Sequence, residues 1–350
     1  MVMVPRTVSI LTIGPPHGMP WWWDHIAFDE NRCRIRYVRL STGGKRETDI
    51  SLPGMVPLAL KIANLLFREC RNDRYIMTFE TGIASFIVSL LQTLSIRRTP
   101  KHVILQFIMR EKKESWTSKL KYLFMRTCFS SLHMAICSSR REVEYYEKVF
   151  DWDSGKARFV PIHTDPKLLD QPLDGSGDFI FSGGRTYRDY DTLIQAVAGT
   201  SIPTVIVSSG TYQPSVGLPP NLTLMRELPL DDFNRLLGGC RVLVLPLEEK
   251  EISTGQCVLL QAMAMGKAIV ATKTSGTVDY IEDGVDGILV PPHDPEKLRE
   301  AIMELTGDDE AIARLGANAK RAAREKYLPQ QYLERVSALL LSVEPQSDQG

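Results

Sequence analysis

Apolar positions in this chain follow two rhythms that alternate from one end to the other. Short β-rich runs read as strands: "TVSILTIG" (7–14), "RCRIRYVRL" (32–40), "RYIMTFETG" (74–82), "HVILQFIM" (102–109), "HMAICSS" (133–139) and "ARFVPIHTD" (157–165). Between them "MVPLALKIANLLFREC" (55–70) and "IASFIVSLLQTL" (83–94) have helical length and spacing, and another helix begins near Arg140. Strand alternating with helix predicts a parallel sheet covered on both faces.

The polar stretch "DPKLLDQPLDGSGD" (165–178) reads as a link and places a domain boundary near Leu173. A second series then begins with strand "DFIFSGG" (178–184), a helix over 190–198, and strands "TVIVSS" (204–209) and "LTLMREL" (222–228). Helix "DDFNRLLGGC" (231–240) and strand "RVLVLPL" (241–247) follow. In "ISTGQCVLLQAMAMGKAIVATKTSG" (252–276), Ser253 or Thr254 caps a mostly apolar helix, Gly266 ends it in a left-handed turn, and "AIVAT" is the next strand. Asp294 and Pro295 open another helix, and helices over 308–326 and 328–343 close the chain. The expected architecture is α/β with two Rossmann-like domains, 1–173 and 174–327, and a terminal segment 328–350.

At 350 residues two cores are the default, and 43% apolar with 24% charged residues is ordinary globular chemistry. Forty-two basic and 42 acidic residues cancel, so no global field draws the chain to nucleic acid. Its six cysteines form no C-x-x-C pair, and most lie in apolar runs, which predicts reduced core thiols. No basic leader and no long apolar span are present, so a cytoplasmic location is expected, with contact at the inner membrane face as a variant.

In open α/β sheets ligands sit beyond the carboxyl ends of the strands, so the strand-to-helix loops carry the candidate chemistry. In "SGGRTYRDY" (182–190) two glycines precede Arg185 and Arg188, a set of free amides and guanidinium forks suited to a diphosphate. The same residues also serve a plain turn with arginines paired at the surface. Ser253, Thr254, Gly255 and Gln256 are small or polar at a helix mouth, where amides carry the positive end of the helix dipole. Two such mouths in one domain favour a diphosphate ligand. On the first domain the loop candidates are His17 in "GPPHGMP", Asp24 and His25 in "WWWDH", and Glu80 in "FETG". His102, His133, His163 and His293 read as structural, and no metal-ligand spacing occurs.

The span from Phe181 to about Leu305 resembles the donor domain of family 4 glycosyltransferases, which have the GT-B fold. The likeness rests on "FSGGRTYRDYDTLIQAV" and on "LLQAMAMGKAIVATKTSGTVDYIEDGVDGILVPPHDPEKLREAI". It implies two domains facing across a cleft, with a C-terminal helix crossing back to the first. It also implies transfer of a hexose from a nucleotide-diphosphate sugar to a hydroxyl of a glycan or a lipid-linked acceptor, with retention, no metal and no cofactor beyond the donor. Carried over residue by residue, Gly184, Arg185, Arg188, Ser253, Thr254, Gly255 and Gln256 would hold the diphosphate and sugar, and Gln261 the ribose. Arg185 with His17 or Glu80 would serve catalysis.

The family usually has two glutamates eight positions apart at this helix, where this chain has Ser253 and Gln261, and it usually has a lysine after the Gly-Arg loop. A divergent enzyme, a non-catalytic nucleotide-binding subunit and a nucleotide-sugar epimerase therefore stand as alternatives. Residues 110–126 hold six basic and two acidic residues, with Trp116, Leu120, Leu123 and Phe124 on one helical face. That pattern fits peripheral contact with anionic lipid, or a solvated helix packed on its own domain.

Overall fold

The structure is a computed structural model and describes residues 6–13, 33–40, 52–95, 99–170 and 177–342. Two compact units, Met1–Val160 and Pro161–Gly350, make up the chain.

The first unit contains β1 (Arg6–Ile13), β2 (Cys33–Leu40), α1 (Leu52–Asn64), β3 (Tyr75–Phe79) and α2 (Ile83–Leu94). After these come β4 (Lys101–Leu105), α3 (Trp116–Cys128), β5 (Met134–Cys137), α4 (Arg140–Phe150) and β6 (Ala157–Phe159). The strands form one parallel sheet in the order β2-β1-β3-β4-β5-β6. The chain steps one way to β2 and the other way to β3, so the crevice of this sheet lies at the ends of β1 and β3. Helix α1 is longer than expected at its start and passes into a π-helical turn, Leu65–Glu69. Helix α3 begins only at Trp116, because the Ser115 hydroxyl accepts from Ser118 N and caps it there.

The second unit contains β7 (Ile180–Gly183), α5 (Tyr190–Val197), β8 (Thr204–Ser208), β9 (Leu222–Arg226), α6 (Leu230–Gly239) and β10 (Val242–Leu245). It continues through α7 (Gln256–Ala264), β11 (Ala268–Thr272), β12 (Ile288–Val290), α8 (Pro295–Thr306), α9 (Asp309–Lys326) and α10 (Pro329–Ser342). Its parallel sheet runs β12-β11-β10-β7-β8-β9. Alternation of side chains along the strands splits the core in two. Phe181, Leu243, Leu245, Ile269 and Ala271 point to the face covered by α7 and α9, with Leu259, Met263 and Ala323. Ile180, Val242, Val244, Ala268 and Val270 point to the face covered by α5 and α8, with Leu193, Ile194 and Ile302. Strands buried on both faces must be apolar at every position, which is why "VLVL" and "AIVAT" read as continuous runs.

Residues 161–170, which read as the end of the first domain and the start of a link, pack on the second unit instead. Thr164 N donates to Tyr327 O at 2.8 Å and Ile162 N to the Tyr280 hydroxyl at 3.0 Å. Asp165 caps a short 3-10 turn that buries Leu168 and Leu169 in the α7 side of the core. Apolar anchors at 168 and 169 outweigh the polar composition around them.

Candidate functional site

In the second unit the strand order reverses between β7 and β10, which pair directly through Val242 with Ile180 and Leu243 with Phe181. The loops leaving these two strands therefore share the crevice where α/β sheets bind ligands. Backbone pairing zips them into one rim: Arg188 bridges Leu247, Asp189 N donates to Pro246 O at 3.2 Å, and Glu248 N donates to Tyr187 O at 3.1 Å. The Lys250 ammonium lies 5.4 Å from the centre of the Tyr187 ring and fixes the same corner. Residues 187–189 of one loop and 246–248 of the other are thus zipped together, with Gly184 and Arg185 preceding the zipped stretch on one strand and 253–256 following it on the other.

Their individual roles differ. Arg185 is exposed and makes no hydrogen bond or ion pair among the described residues. Arg188 turns inward: Nε donates to Gly183 O at 3.1 Å and Nη1 to Thr186 O at 2.7 Å. Gly184 lies at φ +132°, a conformation that favours glycine, and the Arg188 guanidinium occupies the space where a side chain there would begin. Burial disfavours the charge on Arg188 and lowers its pKa.

The mouth of α5 is not an open anion site. Asp189 caps it, with Oδ1 accepting from Thr192 N at 3.2 Å and Oδ2 from Thr192 Oγ1 at 2.7 Å. Exposed His293 brings Nδ1 to 2.8 Å from Asp189 Oδ2. A carboxylate already satisfies the Thr192 amide and would repel a phosphate there. The expectation of two anion-competent helix mouths reduces to one.

That one is α7. Ser253 is buried at 2% exposure, and the N-cap is not Ser253 or Thr254 but Gly255 at φ +90°, which has no side chain with which to cap the helix. The loop before α7 is tied down by Ser275, whose Oγ donates to Lys250 O at 2.9 Å and lies 3.3 Å from Ile252 O. Gly255 then makes the turn into α7 in a left-handed conformation that costs other residues energy. Gln256, first in α7, is 5% exposed, and its Nε2 finds no hydrogen-bond partner. A buried amide donor without an acceptor costs about 1–3 kcal/mol, so an acceptor belongs beside it. Cys257, the next residue, is exposed, unlike Cys70, Cys128, Cys137 and Cys240, so it is not the core thiol its apolar surroundings suggest. Gln261 is half-buried a turn and a half further along.

In the first unit Glu80 is exposed just after β3, at φ +47°. A left-handed glutamate is uncommon and is held here by its neighbours. Its N–H donates to Leu105 O at 2.8 Å, and its carbonyl accepts from Ser85 Oγ at 2.6 Å. Ser85 lies 2.6 Å from Thr78 Oγ1, and buried His102 joins Thr78 at 2.9 Å and Ser89 at 3.0 Å. Burial pushes His102 down to about 3, so it stays neutral. His17, Asp24 and His25 lie outside the described residues. No group of three or more His, Cys, Asp or Glu suited to a metal ion occurs among the described residues. None of the described helices is long and apolar enough to cross a membrane.

Residues 178–308 match the family model described as glycosyl transferases group 1. The O-antigen chain mannosyltransferase C of Escherichia coli is 28% identical over 162 residues, 44% of this chain and 43% of that protein. The alpha-D-kanosaminyltransferase of Streptomyces kanamyceticus is 28% identical over 130 residues, covering 35% and 33%. The chain thus matches less than half the length of these relatives. Among solved structures, HepE from Anabaena in complex with UDP superposes with a TM-score of 0.68 at 15% identity, covering 97% of this chain and 100% of that one. A sucrose-phosphate synthase from Thermosynechococcus elongatus superposes at 0.67 and 16% identity, covering 97% and 99%. Residues 178–308 of the second unit are accordingly similar to glycosyl transferases group 1, and the chain shares the GT-B fold of these solved structures.

Proposed function

We propose that the protein transfers a hexose from a nucleotide-diphosphate sugar to a hydroxyl of a glycan or lipid-linked acceptor, retaining the anomeric configuration without a metal or further cofactor. The observation that carries this reading is the mouth of α7, where the N-cap is a glycine and the buried Nε2 of Gln256 has no hydrogen-bond partner among the described residues. First-turn amides of α7 and the exposed Arg185 would bind the diphosphate, with the backbone of Ser253, Thr254 and Gly255 at the sugar and Gln261 at the ribose. In the reaction the bond from the anomeric carbon to the phosphate oxygen breaks, and the diphosphate leaves with the electron pair. The acceptor oxygen bonds to that carbon, and its proton passes to the departing diphosphate. Positive groups placed where that charge develops supply the main stabilisation. Glu80 and His17 are the first-domain candidates for contacts to the acceptor. HepE, a structural neighbour crystallised with UDP-glucose at a TM-score of 0.66, supports the donor class. We place the reaction at the cytoplasmic side, where nucleotide sugars would be met.

A second reading, a subunit that binds nucleotide without turnover, is favoured by one observation: the position of the family's sugar-contacting glutamate holds buried Ser253. Calorimetric titration with UDP, GDP and ADP, followed by donor turnover with a panel of acceptors, tests both. Binding of one nucleotide, weakened in Arg185→Ala and Gln261→Ala, is the expected result for the donor site. Binding without turnover would select the second reading, and a folded protein that binds none of the three would defeat both. Activity that disappears in EDTA would overturn metal independence.

A further inference from the structure

In the first unit, helix α3 turns its apolar side outward. Trp116 is 72% exposed, Leu120 56%, Leu123 61% and Phe124 53%. At 100° per residue these four share an arc of about 100°. The inward side is held by buried Tyr122 and Cys128, with the Tyr122 hydroxyl donating to Arg110 O. Phe124 leans on Phe86 of α2, 5.8 Å between ring centres, which fixes the direction of the strip. A helix that merely covers its own domain would present the opposite side.

Cations border the strip. Helical spacing sets Lys119 and Arg126 along one margin and Lys121 along the other, and Lys112 and Lys113 precede the helix; all five are exposed. Lys119 pairs with Glu114 at 3.0 Å, and Arg126 with Asp151, through carboxylates that are themselves exposed and compete weakly with a charged surface. Aromatic and aliphatic side chains at the centre with long basic side chains at the rim match the water–lipid boundary, where the cations reach headgroup phosphates while the strip enters the acyl edge. A protein partner fits less well, because lysine is depleted at protein interfaces and four of the five border cations are lysines.

We infer that α3 docks the first unit on an anionic lipid surface. This surface lies wholly within the first unit and stands whether or not the donor-site reading holds. With no net charge on the whole chain, the attraction is local and falls with salt.

Co-sedimentation of the full chain with vesicles made of equal parts phosphatidylglycerol and phosphatidylcholine tests the inference. The chain should bind these at low salt roughly tenfold or more tightly than vesicles of phosphatidylcholine alone. Trp116→Ser with Leu123→Ser should lower that binding about tenfold, and Lys112→Glu, Lys113→Glu and Lys121→Glu together should erase the preference for anionic lipid. Because these side chains are exposed, each variant should melt with the wild type. Failure of the wild type to bind anionic vesicles, or a serine variant that binds as well, would overturn the inference. So would a wild-type dimer in sedimentation velocity that the serine variant reduces to a monomer, since the face would then belong to a second copy.

Discussion

Asp189 Oδ2 and His293 Nδ1 lie 2.8 Å apart, joining the N-cap of α5 to the residue before the N-cap of α8. The pair occupies the helix mouth that the Gly-Arg loop leads into, which leaves α7 as the proposed anion site. Asp189→Ala should cost about 1 kcal/mol of stability, the usual worth of a cap. Its affinity for nucleoside diphosphate should not fall. Urea unfolding with calorimetric titration checks both, and a variant of unchanged stability that cannot bind nucleotide would put Asp189 in the ligand site.

The two arginines of that loop should separate by experiment. Arg185→Ala removes an exposed guanidinium without partners among the described residues, so stability should stay the same while nucleotide binding loses about 1.5–3 kcal/mol, the worth of a charged hydrogen bond. Arg188→Ala removes a side chain that braces Gly183 and Thr186, so its melting temperature should fall as well. Equal melting of the two variants would contradict these positions.

Gln256 carries a prediction of opposite signs. Gln256→Leu removes an unsatisfied buried donor and should leave the ligand-free protein at least as stable, by up to about 1–3 kcal/mol. The same change should weaken nucleotide binding about tenfold. A variant that loses stability and keeps its affinity would show that Nε2 serves the fold instead.

Restoring the family's glutamates should succeed at one position only. Ser253 is 2% exposed, so Ser253→Glu buries an unpaired carboxylate and should destabilise by several kcal/mol. Gln261 is half-buried at the helix flank, and Gln261→Glu should fold normally and strengthen nucleotide binding. Thermal melts of the two variants provide the comparison.

Acid should loosen the first unit through His102. Its folded pKa is depressed from 6.5 to about 3, so between these values the unfolded chain binds the proton and the folded one does not. Stability therefore rises with pH across that window and is lost as pH falls below about 6.5. At pH 5 the cost is about 2 kcal/mol from this group. His102→Gln should flatten that part of the profile in urea titrations at pH 7 and pH 5; an unchanged slope would assign the acid sensitivity elsewhere.

The alternation of strands and helices along the chain was legible because parallel strands covered on both faces must be apolar throughout, as "VLVL" and "AIVAT" are. The small residues before α7 were legible as a helix mouth for a similar reason: bulk there would block the amides. What closes or opens each mouth was not. Whether Asp189 caps α5 depends on the residue at which the helix starts, and His293 arrives from more than 100 positions away. The cap of α7 is Gly255 and not Ser253 or Thr254, and the loop before it is tied to Ser275, on the far side of β11, through Lys250 O. Strand β12 is three residues long and leaves no period to read. The outward face of α3 shows the same limit, since an amphipathic pattern names a stripe but not which side is covered.

Cys257 gives this molecule a reporter of its own. The exposed thiol sits at the second position of α7, within electrostatic reach of Arg188, while Cys70, Cys128, Cys137 and Cys240 are sealed in the cores. Among the cysteines whose side chains are described, a small alkylating reagent should therefore mark Cys257, at the rim of the proposed anion site, first, and the rate at which it does so becomes a clock for occupancy. Slowing by a nucleotide would reveal binding without radiolabel, acceptor or turnover, so a donor too poor to be transferred would still leave its trace.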